Sequence, residues 1–468
     1  MTTEQQLPKG WKKTTLGEIS IVKMGQSPNG KSYNKEKEGY LLIGGASDLG
    51  DIYPSPKQYT NEATKLSKAN DIIICIRATI GRLNLSDKVY CLGRGVAGIE
   101  VNANVEAKFI WYSLMNSETY LLKNSTGTTF QQVSSHTLKK LPIVYPTSKE
   151  TQQAIVNKIE SLFAEIDAGI DSLKTAAQQI QQYRQSLLKN AFNGELTKEW
   201  RSKHEDTLPS ENELPAQIQT AREQHRARQL ADWQTAVSQW EQNGKEGKKP
   251  SKPKAPTQAV KFEENVADLP NGWIWGKLSD LGELARGKSK HRPRNDKKLF
   301  GGKYPFIQTG EVRAANRIIK KYEQTYSEFG LEQSKLWQKG TLCITIAANI
   351  AETAFLGFDA CFPDSIVGFS ASKAVLPEYI ELFIKSARTK IESYAPATAQ
   401  KNINLNTLEN LIVPYCSLTE QTQIVAILES KLTACDQLAA ELSKQLKQAE
   451  LLKQAVLKAA FSGSLLDK

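Results

Sequence analysis

Gly25-Gln26-Ser27-Pro28-Asn29-Gly30-Lys31-Ser32 fits the pattern GxxxxGK[ST], in which backbone amides and a lysine hold nucleotide phosphates and a hydroxyl holds magnesium. That chemistry needs a helix opening at the lysine, with its first amides facing the phosphates. Here Ser32 leads into Tyr33-Asn34-Lys35-Glu36-Lys37-Glu38-Gly39, which has no apolar stripe. Pro28 is awkward inside such a loop, and no later strand offers a magnesium-binding Asp. The segment reads better as a basic turn against a DNA backbone. No other catalytic set emerges. There is no Asn-Pro-Pro-Tyr motif of an adenine methyltransferase and no glycine-rich cofactor loop. Pro363-Asp364 lacks the Glu-x-Lys partner of a nuclease and reads as a turn. The six cysteines (Cys75, Cys91, Cys343, Cys361, Cys416, Cys435) form no CxxC pair, and the four histidines do not cluster. A zinc site and a disulfide framework are both disfavoured, and a reducing cytoplasm fits. The empty list points to a binding protein and away from an enzyme.

The 468 residues suffice for two to four domains, and 40% hydrophobic with 24% charged residues is ordinary globular composition. The longest apolar run, Ile72-Ile73-Ile74-Cys75-Ile76, is far short of the ~20 residues that span a bilayer. The polar first nine residues lack a signal-like apolar region, so neither secretion nor membrane insertion is expected. The net charge of +11 is concentrated: 19 basic against 12 acidic residues in 1–149, and 20 against 14 in 269–419. Two basic blocks joined by near-neutral segments suit a polyanion held at two places. A charge of this size also simply aids solubility.

The chain repeats itself. Leu7-Pro8-Lys9-Gly10-Trp11 returns as Leu269-Pro270-Asn271-Gly272-Trp273, and Gly25 as Gly287. The strand-like run 71–76 returns as 340–345. Thr137-Leu138 and Leu141 return as Thr407-Leu408 and Leu411, and Ala191-Phe192-Asn193-Gly194 as Ala460-Phe461-Ser462-Gly463. The offset drifts from 262 to 270 and then settles at 269–270, as loop insertions in a duplicated domain would cause. Each copy opens with about 140 residues of short β-rich runs between Gly, Pro and Asn turns, a mixed α/β domain.

Each copy then continues as a long helix. Thr147-x-x-Glu150 and Ser417-x-x-Glu420 have capping-box spacing. Apolar residues follow at alternating steps of four and three: Ile155, Ile159, Leu162, Ile166, Gly169, Leu173, Ala176, Ile180, Tyr183, Leu187. The second copy gives Ile424, Leu428, Lys431, Cys435, Leu438, Leu442, Gln445, Ala449, Leu452, Val456. This is a coiled-coil seam, imperfect at Lys431 and Gln445. A stripe that narrow favours pairing the two helices antiparallel over burying each in its own domain. The expected division is 1–148 and 269–418 as globular domains, 149–197 and 419–468 as spacer helices. Between them, 198–268 belongs to neither repeat. It holds a helix around 218–240, whose Trp233 and Trp240 are expected to pack against the neighbouring helices, and a Lys/Pro-rich flexible linker at 245–254.

These ordered signals resemble the specificity subunits of type I restriction-modification systems. Leu-Pro-x-Gly-Trp opens each half. A helix with Glu and Gln follows a proline-containing strand, and each helix ends in Ala-Phe-x-Gly-x-Leu (191–196, 460–465). Trp200-Arg201 after the first ending is similar as well. The resemblance implies a mixed α+β fold with two target recognition domains joined by two antiparallel coiled-coil helices. Each domain would read one half of a split double-stranded DNA sequence. The helices would set the gap and bind methyltransferase subunits, two of them, which bring S-adenosylmethionine. Restriction/translocase subunits would bring ATP and magnesium. The chain itself would hold no cofactor and no metal and perform no chemistry. A ~60 Å helix spans many base pairs at ~3.4 Å each, leaving an unread gap between two major-groove segments.

Candidate DNA contacts in the first domain are Gln26, Lys31, Arg77, Arg82, Arg94, Gln131 and Gln132. In the second they are Lys288, Arg292, Arg294, Asn349, Gln400, Lys401 and Asn402. Arg pairs with guanine, Gln and Asn with adenine, and Lys with phosphate. Each is otherwise an ordinary solvated residue. Two rival classes remain: a P-loop nucleotidase, which would turn over ATP, and a coiled-coil scaffold, which would show no salt-dependent DNA affinity.

Overall fold

Ile72–Cys75 is β-branched at three of its four positions and buried at all four, which places it inside a sheet. The computed structural model describes residues 7–127, 131–210, 213–246, 249–253, 268–395 and 402–466. In it, this strand sits third in an antiparallel sheet ordered Ser20–Met24, Val96–Val101, Ile72–Cys75, Leu83–Leu85. A smaller sheet holds Tyr33–Asn34, Tyr59–Thr60, Tyr40–Ile43 and Cys91–Leu92, the last pair parallel. A ribbon of Trp11–Thr15 and Pro142–Pro146 ties the start of the domain to its end.

The second copy repeats this plan. Its larger sheet runs Gly282–Arg286, Ile366–Ala371, Leu342–Thr345, Thr353–Leu356, with Ile318–Ile319 added at the edge. Its smaller sheet holds Gln324–Tyr326, Phe300–Phe306, Ala360–Cys361 and Leu336–Trp337, and its ribbon pairs Ile274–Lys277 with Ile412–Tyr415. The duplication and the mixed α/β class expected from the sequence are both present.

Two long helices follow, Lys149–Phe192 and Leu418–Ser462. The first, at 44 residues, is about 66 Å long at ~1.5 Å per residue. Its cap lies one residue later than the sequence pattern placed it. The Ser148 hydroxyl accepts the Thr151 amide, while Thr147 is spent on the Gly10 carbonyl. Ser417 does cap the second helix, but its expected box partner Glu420 turns inward instead.

The contacts divide the chain through the middle of both helices: Met1–Ala177 with Ala440–Lys468, and Gln178–Ala439. Within each unit the helix segments are antiparallel. In the first, Ile155 and Ile159 share a core with Val456, Leu457 and Ala460, and Asp167 meets Lys453. In the second, Leu187 and Ala191 share a core with Ile424 and Leu428, and Arg184 meets Asp436. The seam differs from the sequence reading at two positions of the first helix and four of the second. Gly169, Tyr183, Lys431, Leu438, Gln445 and Leu452 are exposed, and Ile170, Arg184, Leu432, Ala439, Leu446 and Lys453 face inward in their place. The one-residue shift keeps the four-three rhythm and removes the defects at Lys431 and Gln445.

The two recurring motifs are halves of one joint. Gly463 follows the C-terminal helix with φ +84°, and a β-carbon there would lie 2.3 Å from Pro8 Cγ. Gly194 follows the central helix with φ +81° and stands in the same relation to Pro270. Phe461 packs edge-on against Phe109, and Phe192 against Tyr379 and Phe383. Each helix end therefore locks onto the Leu-Pro-x-Gly-Trp of the other repeat.

In the second unit the joint has a charged centre. The fully buried Glu420 accepts from Thr197 Oγ1 at 2.7 Å, Arg201 Nη1 at 2.5 Å and Trp273 Nε1 at 2.9 Å. Arg201 also donates to the Gly194 carbonyl at 2.7 Å. The insert belongs here too. Its helix, Glu213–Gln242, buries Leu214, Ile218 and Ala221 beside Leu278 and Leu281, and Arg222 pairs with Asp280. Trp233 and Trp240 meet the segment that follows their helix where packing on neighbouring helices was expected: Trp233 donates to the Pro250 carbonyl, while Lys252 and Lys249 cover the two indoles. Residues 249–253 thus fold back on the helix where the sequence suggested a loose linker.

Arg201→Ala leaves the Glu420 carboxylate buried without its counter-ion and should cost about 3–5 kcal/mol of stability in the second unit. Gly194→Ala should cost at least ~1–2 kcal/mol for the left-handed backbone alone. Denaturant unfolding of the full chain checks both, and unchanged midpoints would contradict the joint.

Candidate nucleic-acid interface

The loops that leave one end of the larger sheet in the first unit are stitched to each other by backbone hydrogen bonds. Gly25 N donates to Val96 O at 3.0 Å and Gln26 N to Leu92 O at 2.8 Å. Ile76 N donates to Gly95 O at 3.0 Å and Val133 N to Ile76 O at 2.9 Å. Gln132 also bridges to Arg77. Six of the seven residues expected in this domain, Gln26, Arg77, Arg82, Arg94, Gln131 and Gln132, therefore gather at one sheet end, and all six are exposed.

The turn that carries Arg77 is strained. Ala78 sits at φ +56° and Gly81 at +89°, with Gly81 N donating to Cys75 O. A non-glycine left-handed residue is costly and marks a backbone held for a purpose. The side chains of Arg77 and Arg94 make no hydrogen bond or ion pair among the described residues, so both forks are available to a ligand. Arg82 is different: it donates to the carbonyls of Ala46, Leu49 and Gly50, stapling a neighbouring loop. Its guanidinium is mostly committed to the fold.

Lys31 lies apart, on a single 3-10 turn next to the smaller sheet. Strand Tyr33–Asn34 follows it directly, so no helix faces a phosphate. Ser32 is buried and shares a 2.8 Å hydrogen bond with Thr60, which removes its hydroxyl from any magnesium. The nucleotide pattern is a coincidence of spelling.

The second unit builds the same end. Gly287 N donates to Ile366 O at 2.9 Å, Lys288 N to Phe362 O at 3.1 Å, Ile346 N to Ser365 O at 2.9 Å, and Ile403 N to Ile346 O at 3.0 Å. Lys288, Asn349 and Asn402 are thereby brought together, and Ala348 and Ala351 repeat the left-handed turn at φ +64° and +61°. Arg313 reaches Asn349 at 3.4 Å. Arg292 is spent on the carbonyls of Ser289 and His291. Arg294 holds Asp364, with Nη2 3.1 Å from both carboxylate oxygens. Gln400 and Lys401 lie outside the described residues.

Several residues at this end escaped the sequence reading. Asp364 is held from two sides, since Arg286 Nε donates to its carbonyl at 2.9 Å. Lys335 places its ammonium 3.8 Å over the Trp337 ring, and burial depresses its pKa while the neighbouring Lys288 adds repulsion. Asp296 is pulled below the usual carboxylate range by the Lys298 amide and then by His291. Beside Asp364 opens a cavity of about 450 Å³, lined among others by Arg294, Phe306, Gln308, Gln324, Tyr326 and Ser365. The local offset of 270 between the repeats, which sets Ser365 against Gly95 and so Asp364 against Arg94, is the signal that could have drawn attention to it.

No reactive centre accompanies these surfaces among the described residues. No group of His, Cys, Asp and Glu is placed to hold a metal. The six cysteines are buried, and burial pushes the Cys75 thiol up to about 11. Among the described residues no helix is long and apolar enough to cross a membrane.

The family model for the type I restriction modification DNA specificity domain matches the chain twice, over residues 8–174 and 270–448. The chain belongs to that family. Its two matches coincide with the two repeats and include the first two-thirds or so of each long helix. The chain is 21% identical to the EcoDI specificity subunit of Escherichia coli over 98% of this chain and 90% of that protein. To the putative MjaX specificity subunit of Methanocaldococcus jannaschii it is 31% identical, over 41% of this chain and 44% of that protein. The match to the EcoBI specificity subunit of E. coli likewise spans about half of that protein, 48%. In fold, it superimposes with a TM-score of 0.70 on a chain from a study of complex assembly and conformational transition of the type I R-M system. That likeness has 17% identity and covers 98% of this chain and 99% of the other. The HsdS subunit from Thermoanaerobacter tengcongensis gives a TM-score of 0.56 at the same identity, over 99% of both chains.

The isolated chain should neither hydrolyse ATP nor gain thermal stability from ATP with magnesium. Ser32→Ala should instead cost about 1 kcal/mol, as a buried hydrogen bond to Thr60 is lost. A phosphate-release assay checks the first, and calorimetric melting of wild type and variant, with and without nucleotide, checks the other two.

Proposed function

We propose that this chain is the non-catalytic DNA-reading subunit of a type I restriction-modification system, each repeat reading one half of a two-part target. One observation carries the reading. The same sheet end occurs twice, each time presenting exposed Arg, Lys, Gln or Asn side chains from stitched loops, in a chain of the DNA specificity family.

The chemistry follows from the residue types. Arg77 and Arg94, with free forks, suit the paired acceptors O6 and N7 of guanine in the major groove. Gln26, Gln131, Gln132, Asn349 and Asn402 suit the N6 and N7 edge of adenine. Lys31, Lys288 and Lys335 suit phosphates, which fix register and carry no sequence information. The strained turns at Ala78 and Ala348 hold the reading loops rigid, so less ordering is needed on binding. The long helices act as a ruler whose length sets the unread gap.

The partners belong to the same proposal. Methyltransferase subunits, two of them, dock on the helices and supply S-adenosylmethionine. Restriction/translocase subunits bring ATP and magnesium, and the whole acts in the cytoplasm. This chain contributes the address and no bond is made or broken on it.

Co-expression with the neighbouring methyltransferase gene, followed by mapping of N6-methyladenine in host DNA, should reveal one two-part motif with a fixed gap. Absence of any such motif while the two proteins co-purify would overturn the reading. Arg77→Ala should weaken binding by about 1–3 kcal/mol at one base pair and relax specificity there. Lys288→Ala should weaken binding on all sequences alike and lower the salt slope by about 1. Titrations of the chain on DNA at several salt concentrations separate the two.

A further inference from the structure

The hydrogen bonds that stitch the two reading ends allow them to be compared residue by residue. Ile76 N to Gly95 O corresponds to Ile346 N to Ser365 O, and Val133 N to Ile76 O corresponds to Ile403 N to Ile346 O. Gly25 N to Val96 O corresponds to Gly287 N to Ile366 O. Arg77 therefore stands where the second repeat has Ala347, and the two bridges Arg77–Gln132 and Ala347–Asn402 confirm the register. By the same register Gln26 answers to Lys288, and Arg94 to Asp364.

The last exchange inverts the chemistry of the position. Arg94 is an exposed donor with no side-chain partner among the described residues. Asp364 is an acceptor, about two-fifths exposed, and fixed. Arg294 Nη2 grips both of its oxygens, and Arg286 holds its backbone carbonyl. One nitrogen of Arg294 makes both contacts, so Arg294 Nη1 and Nε keep their protons for another acceptor. Each carboxylate oxygen keeps a further lone pair. Arg294 also lines the 450 Å³ cavity, together with Pro363 and Ser365 on either side of Asp364, and the polar wall includes Gln308 donating to Gln324 at 3.0 Å.

We infer that Asp364, positioned by Arg294, is a specificity-determining residue of the second repeat and reads cytosine, where Arg94 in the first repeat reads guanine. The carboxylate accepts from the cytosine N4 amino group, the one major-groove donor of a C·G pair. The guanidinium donates to O6 and N7 of the paired guanine. An Arg in place of Asp364 would meet the cytosine amino group donor to donor, which is why the inverted side chain selects the inverted base. The two repeats thus read unlike half-sites, although their backbones match. This inference rests on the proposed function above.

The test is the N6-methyladenine map of cells co-expressing the methyltransferase with the wild-type chain, Asp364→Ala, Asp364→Asn or Arg94→Ala. The expected result is a relaxed requirement at a single cytosine in one half of the motif for both Asp364 variants. Arg94→Ala should relax a single guanine in the other half. Asp364→Asn keeps size and fold, so it guards against a trivial loss of the loop. A wild-type two-part motif that stays unchanged in Asp364→Asn and Asp364→Ala overturns the inference and leaves the proposed function standing. A uniform loss of modification in Asp364→Asn, with unaltered base preferences among the sites that remain, also overturns it. A wild-type chain that yields no two-part motif overturns the proposed function itself.

Discussion

The joint between a helix end and the opening of the opposite repeat is the contact on which the rest of the structure depends. A long helix with a narrow apolar stripe cannot be stable in isolation, because its burial is too small to offset the ordering of its backbone. Each helix is anchored at both ends instead. Its start grows out of its own domain, and its end is clamped by a left-handed glycine against the proline of the other domain. Only glycine fits, for two independent reasons: the positive φ and the 2.3 Å approach to the proline ring. The domains and helices therefore stabilise each other, and neither is an optional attachment.

In the second unit a buried charge network reinforces that joint. Glu420 is the carboxylate that a capping box would spend on its own helix terminus, yet it is fully desolvated beneath Trp273 and Arg201. A buried carboxylate persists only where donors satisfy it, and here three side chains do. A second desolvated acid works similarly: Glu381 is gripped by Lys385 and Arg317, and Arg317 continues to Glu429 on the C-terminal helix. Charge pairs of this kind fix orientation as well as contributing energy, because they fail if the helix rotates by one residue.

Rigidity at the joint has a counterpart at the proposed reading ends. The loops there are tied by main-chain hydrogen bonds and held in left-handed turns at Ala78, Ala348 and Ala351. Backbone frame and side-chain chemistry are thereby separated. The frame is common to both repeats, while Arg77 against Ala347 and Arg94 against Asp364 change what the frame presents. Such an arrangement lets the presented side chains vary without touching the core.

The sequence by itself determined the duplication, the mixed α/β class, the long helices and the failure of the nucleotide motif. These rest on order, local periodicity and local spacing, which a linear string carries. It also named most of the exposed polar residues that the structure gathers at the two stitched sheet ends, since Arg, Gln and Asn next to glycine turns are visible without coordinates. It misplaced two seam positions of the first helix and four of the second. Steps of three and four both satisfy a seam, and only the facing helix decides between Lys431 and Leu432 or Gln445 and Leu446. It could not separate Arg82, spent on three carbonyls, from Arg77, which is free, because that depends on loops more than thirty residues away. The folding of 249–253 onto its own helix and the inward turn of Glu420 were hidden for the same reason. Long-range partners decide which polar side chains are structural and which remain for a ligand, and only the tertiary structure brings those partners together.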